Sequence, residues 1–153
     1  TMNGRILLSL LVVSGVTLPL SSLLSAQTLP PVVTQKIHAA QKQVKTIAME
    51  DYRTVVDHPG EALIIDVREP QEYAAGHVPG AVNIPRGVLE FQIWKHVGSP
   101  AGPQMAKPLY LQCQSGNRAS LAAQSLAELG FTQTTAVVMS LEEWQQSGQP
   151  FVK

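Results

Sequence analysis

Leu109-Tyr110-Leu111-Gln112-Cys113-Gln114-Ser115-Gly116-Asn117-Arg118-Ala119-Ser120-Leu121-Ala122-Ala123 joins an apolar run to a polar turn containing glycine, and the turn opens into alanine and leucine at helical spacing. The pattern predicts a strand, a tight turn and a helix, with the one cysteine of the chain where strand becomes turn. Backbone N–H groups of such a turn, together with the positive end of the helix behind it, favour an anion. The position therefore suits a thiolate.

Apolar runs and helical patterns alternate on both sides of this stretch. Residues 50–56 read as a helix, 62–67 as a strand whose Leu63-Ile64-Ile65 core lacks polar alternation, 81–84 as a short strand and 87–96 as a helix. A helix is expected over 117–129, with Gly130 as its left-handed cap and Phe131 packed back on Leu126. A strand over 134–138 follows, then a helix over 141–147 that Ser140 and Glu143 would start as a capping box. This order predicts an α/β domain with a mainly parallel sheet.

The chain has 153 residues, 44% hydrophobic and 14% charged, which fits a leader segment and one domain. Eleven basic and eleven acidic side chains are scattered through it, so no electrostatic case exists for nucleic acid. Arg5 precedes an apolar run from Ile6 to Leu20, and the region closes on Ser25-Ala26. Residues 1–26 are expected to be a secretory signal peptide, cleaved after Ala26, or else an uncleaved anchor. Only in the anchored case is a membrane a partner. Residues 27–46 read as a Pro30-Pro31 linker followed by a weak helix over 35–45, on whose stripe lie Ile37, Ala40, Gln41 and Val44. A single cysteine cannot form an internal disulfide, so a free thiol in an exported chain suggests use.

Three stretches resemble the rhodanese (sulfurtransferase) family: Ile65-Asp66-Val67-Arg68-Glu69-Pro70 with Glu72-Tyr73, then Gly76-His77-Val78-Pro79-Gly80-Ala81-Val82-Asn83-Ile84-Pro85, then Cys113 to Arg118. The resemblance covers residues 47–153, and an exported single-domain form is similar to the phage shock E type of periplasmic rhodanese. It implies a three-layer rhodanese-like domain with a central five-stranded sheet flanked by helices. It also implies an exported, periplasmic sulfurtransferase that forms a persulfide on Cys113, takes sulfur from a small anionic donor such as thiosulfate, and passes it to cyanide, a thiol or a protein acceptor. No metal ion or organic cofactor is needed for that chemistry.

Attack of the Cys113 thiolate on the outer sulfur of a donor would leave a sulfur anion in the turn. The N–H groups of Gln114, Ser115, Gly116, Asn117 and Arg118 are the candidates to hold it, and Gly116 relieves the steric limit on the curl. Preorganised donors of this kind count for roughly 3 kcal/mol each in a site without water. Arg118 is expected either to close this cradle or to solvate the first helical turn. Asp66 and Arg68 are candidates for binding an anionic substrate or for a structural ion pair. His77 sits in a Gly/Pro loop and reads as structural, while Trp94 and Trp144 read as packing residues. Four residues separate Cys113 from Arg118, where protein tyrosine phosphatases and arsenate reductases place five, so sulfur transfer is favoured over those activities. A persulfide-carrying module with little turnover is the rival of a different class. Met139, where many relatives have glycine, is expected near the mouth of the site.

Overall fold

Leu63-Ile64-Ile65-Asp66 and Leu109-Tyr110-Leu111-Gln112 pair side by side in parallel, Ile65 opposite Leu111, because neither run has a polar face to offer to water. The computed structural model describes residues 28–98 and 101–153, and the expected signal segment lies outside them. Along the chain the elements are helix α1 (Pro31–Gln43), strand β1 (Lys45–Ile47), helix α2 (Met49–Asp57), strand β2 (Leu63–Asp66), helix α3 (Pro70–Ala74) and strand β3 (Val82–Asn83). After them come helix α4 (Leu89–Gln92), flanked by single 3-10 turns, strand β4 (Leu109–Gln112), helix α5 (Asn117–Glu128), strand β5 (Thr134–Val137) and helix α6 (Leu141–Gln146). The sheet is all parallel in the order β1-β5-β4-β2-β3. Every strand therefore ends at one edge, and Cys113 follows the central strand there.

The two faces of the sheet bury separate cores. On one, Ile65, Leu111 and Ala136 meet Ala119, Ala122, Ala123 and Leu126 of α5, whose small side chains let the helix lie close on the strands. On the other, Ile64 and Val137 meet Tyr52 of α2 and Trp144 of α6, with the two rings 5.3 Å apart between centroids. Helix α5 ends as its sequence implies: Gly130 takes φ +102°, its N–H donates to Ala127, and the Phe131 N–H donates to the Leu126 carbonyl. Ser140 caps α6 through its Oγ, which accepts from the Glu143 N–H at 3.2 Å.

The amino-terminal stretch, expected as a Pro30-Pro31 linker followed by a weak helix over 35–45, forms a helix that starts earlier, at Pro31, and packs on the domain. Pro31 opens α1 at a position where its missing N–H has no helical partner to lose. The helix docks on α5 through buried Ile37 and Ala40, and β1 then pairs with β5, Thr46 opposite Ala136. The stretch over 87–96 is also less regular than the expected helix: Val88 (φ −126°, ψ 9°) departs from helical geometry, only 89–92 are α-helical, and 86–88 and 93–95 are 3-10 turns. Replacing Ile37, 5% exposed, by alanine is expected to cost about 2–4 kcal/mol in urea unfolding. A cost below about 0.5 kcal/mol, typical of surface positions, would mean that α1 is an appendage.

Candidate active site

Three carbonyls of the turn after β4 are pulled away from the sulfur. The Cys113 carbonyl accepts from buried Gln112 Nε2 at 2.6 Å, that of Gln114 from the Leu141 N–H at 2.9 Å, and that of Gly116 from both the N–H (2.9 Å) and the Oγ (2.6 Å) of Ser120. No peptide bond among the described residues is cis, so each following N–H points opposite to its tethered carbonyl. The N–H groups of Gln114, Ser115 and Asn117 are the ones so directed, and among the described residues they donate to no protein acceptor. Two other N–H groups reach the thiol itself: Gly116 at 3.1 Å and Ala119 at 3.4 Å from Sγ. Ala119, in the first turn of α5, was not among the expected donors, because only the actual pitch of the turn brings it over the sulfur.

Gly116 makes this curl possible. Its φ is +92°, and a Cβ there would lie 2.8 Å from the Val138 Cα and 3.0 Å from the Val137 carbonyl oxygen. Cys113 itself is 1% exposed and packs with Ile65, Val67 and Leu111, so its sulfur has an apolar floor and a roof of peptide N–H groups. The side chains of Gln114 and Ser115 are exposed around it.

The arginine candidates are paired with carboxylates. Strand alternation sends Asp66 to the face of Ile64, away from the face of Cys113. There the Arg68 Nε donates to both Asp66 oxygens at 3.0 Å, and Nη2 donates to Oδ2 at 2.7 Å and to the Gly76 carbonyl at 2.8 Å. Both residues are buried, Asp66 completely, in a closed pair that ties the end of β2 to the loop at Gly76. Of the two readings open from sequence, the structural ion pair is the one present, and the pair offers no open anion site.

Arg118, expected either to close the cradle or to solvate the first helical turn, is likewise engaged by a carboxylate, with its charge still within electrostatic reach of Cys113. Its two terminal nitrogens hold Glu72 in a bidentate pair at 2.7 and 2.8 Å. Glu72, the partner that sequence reasoning overlooked, also accepts the Glu69 N–H at the start of α3. The Arg118 guanidinium, and after it the Glu69 N–H, bring the Glu72 carboxyl down to about 2 from an ordinary 4.5, with partial burial opposing. Glu72 in turn raises Arg118. Met139 is 8% exposed and packs into the core of Tyr52 and Trp144, so it does not stand at the mouth as expected. Val138, at 37% exposure, has that place beside Gly116. His77 is structural, bridging Val152 through its backbone and stacking on Tyr73. A cleft of about 270 Å³ lined by Val44, Lys45, Pro108, Tyr110, Gln133 and Thr135 opens at the opposite, amino edge of the sheet, away from Cys113.

Residues 48–147 match the model of the rhodanese-like domain. The chain belongs to the rhodanese-like domain family. A thiosulfate:glutathione sulfurtransferase of Saccharomyces cerevisiae is 30% identical to it over 115 residues, 69% of this chain and 81% of the yeast protein. The human single-domain sulfurtransferase is 29% identical, with a TM-score of 0.55 over 67% of this chain and 96% of the human one. A Rhodopseudomonas palustris protein considered for tyrosine phosphatase activity is 24% identical, with a TM-score of 0.68 over 82% of this chain and 98% of that one, a likeness of fold alone. The family match and the yeast and human relatives support sulfur transfer at the level of the family.

Two outcomes test the geometry. Gly116→Ala is expected to lower stability by about 1–3 kcal/mol in urea unfolding, since it adds both a disfavoured backbone angle and a clash with Val138. The Glu72 carboxyl, depressed when folded, contributes stability that is complete above pH 4.5 and lost as pH falls toward about 2. The stability difference between wild type and Glu72→Gln should therefore shrink over that interval and stay flat above it, as read from unfolding midpoints against pH.

Proposed function

We propose that Cys113 is the nucleophile of a thiosulfate sulfurtransferase and carries sulfane sulfur as a persulfide. The observation that carries this reading is the pair of N–H groups, from Gly116 and Ala119, that approach Sγ at 3.1 and 3.4 Å. In the first half-reaction the thiolate attacks the outer sulfur of thiosulfate. A new S–S bond forms, the S–S bond of thiosulfate breaks, and sulfite leaves with its electron pair. The outer sulfur then stands about 2.05 Å beyond Sγ. The partnerless N–H groups of Gln114, Ser115 and Asn117 are the donors available to its charge. In the second half-reaction cyanide, a thiol or a protein thiolate attacks that outer sulfur, and Cys113 leaves as thiolate. No proton need be removed once the thiolate exists, which agrees with the structural role of His77.

A carrier with little turnover of its own is the second reading, and the burial of Cys113 favours it, because a bulky acceptor must find a sulfur that is almost covered. We further propose that the domain is exported to the periplasm by its amino-terminal segment, or held there by it, a reading supported by the apolar run from Ile6 to Leu20.

Intact mass after incubation with thiosulfate is expected to rise by one sulfur atom, and cyanide is expected to discharge it as thiocyanate with steady turnover. Cys113→Ser should abolish both. A stable persulfide that cyanide discharges only once would favour the carrier, and no gain of mass would refute both readings.

A further inference from the structure

Helix α1 lies outside residues 48–147, the part that matches the family model, yet one of its side chains reaches the turn around Cys113. Gln41 Nε2 donates to Ser120 Oγ at 3.0 Å, and Ser120 Oγ donates to the Gly116 carbonyl at 2.6 Å. The direction of this relay is fixed by chemistry. An amide nitrogen only donates, so the Ser120 oxygen receives from Gln41 and its single proton is left to Gly116. Accepting one bond polarises the hydroxyl and strengthens the bond it makes.

The Gly116 carbonyl sets the plane of the Gly116–Asn117 peptide, and with it the direction of the Asn117 N–H. Gly116 also supplies the N–H that lies 3.1 Å from Sγ. Ser120 is completely buried, so without Gln41 its Oγ would lose an acceptor contact that water cannot readily replace. Helix α1 is itself held in place by Ile37 and Ala40 and by the bond from Gln124 Nε2 to Gln43 Oε1 at 2.7 Å.

We infer that Gln41 is a positioning residue: acting through Ser120, it holds the Gly116 carbonyl away from the sulfur and keeps the N–H groups of the turn aimed inward. The helix that precedes the family domain is thus part of the apparatus around Cys113. The activity arm of the inference rests on the sulfur transfer proposed above, while its spectroscopic arm does not.

The test is a double-mutant cycle in the full chain with Gln41→Leu, Ser120→Ala and the pair. Gln41→Leu is expected to lower kcat for thiocyanate formation roughly three- to tenfold, the loss of about one hydrogen bond, with KM nearly unchanged. It should also shift the backbone amide resonances of Gly116 and Asn117. In the Ser120→Ala background the same change should add nothing to either readout, because the relay is already cut. Unmoved amide resonances, or losses that add in full, would overturn the inference and leave α1 acting by packing alone. If the wild-type protein shows no turnover, the proposed activity fails, and the amide shifts with their non-additivity decide the relay by themselves.

Discussion

A left-handed glycine lies against the end of β5, and the turn around Cys113 is built on it. Gly116 takes φ +92° within van der Waals contact of Val137 and Val138, a place where a side chain would meet backbone atoms. From that position its N–H turns to the sulfur and its carbonyl turns to Ser120. The other two tethers follow the same logic. Gln112, still on β4, draws the Cys113 carbonyl back along the strand, and the first N–H of α6 draws the Gln114 carbonyl sideways. Peptide planarity turns the N–H groups of Gln114, Ser115 and Asn117 opposite to these three tethered carbonyls. The electrostatics of the turn are therefore produced by main-chain geometry, with the side chains of Gln112 and Ser120 serving as its anchors.

Charge is used differently. The two arginines that sequence would place at an anion site are both committed to carboxylates, Arg68 to Asp66 and Arg118 to Glu72. Both pairs lie at the carboxyl edge of the sheet. Asp66 and Arg68 close the end of β2 onto Gly76, and Arg118 with Glu72 ties the first turn of α5 to α3. A buried pair of the first kind is costly to break, about 3–5 kcal/mol when one partner is lost, because the other is left charged without water. The second pair is one-third exposed and weaker, a strut that acid removes.

What the sequence disclosed follows from range. The strands at 62–67, 109–112 and 134–138 and the cap at Gly130 are local patterns, two-sided apolar runs and a glycine after a helical repeat, and they lie where the residues imply. Strand β1 escaped notice because it is three residues long, with Lys45 and Thr46 exposed at the sheet edge. The thin stripe of Ile37, Ala40, Gln41 and Val44 did mark the docking face of α1, but a stripe so short does not tell a docked helix from a solvated one. At the site, the strand–turn–helix and the glycine were legible around Cys113. The destinations of Arg118 and of Met139 were not, since a partner 46 residues away and the inward turn after β5 have no local signature.

On the proposed reading, the same features bear on what the site can recognise. With Arg68 and Arg118 paired to carboxylates, the polar groups that touch Sγ itself are peptide N–H dipoles, at 3.1 and 3.4 Å. Dipoles at about 3 Å act strongly on an atom they enclose and weakly on a group several ångströms beyond it, since a dipole's field falls faster with distance than that of a charge. Such a cradle discriminates by the size and charge of the reacting sulfur and is tolerant of what the sulfur is attached to. The side chains of Gln114, Ser115 and Val138 are exposed beside the turn, and the part-exposed Arg118–Glu72 pair lies within electrostatic reach of the sulfur. Shape bears on the acceptor as well, because a thiol must reach a sulfur about 2 Å above a cysteine that is almost wholly covered.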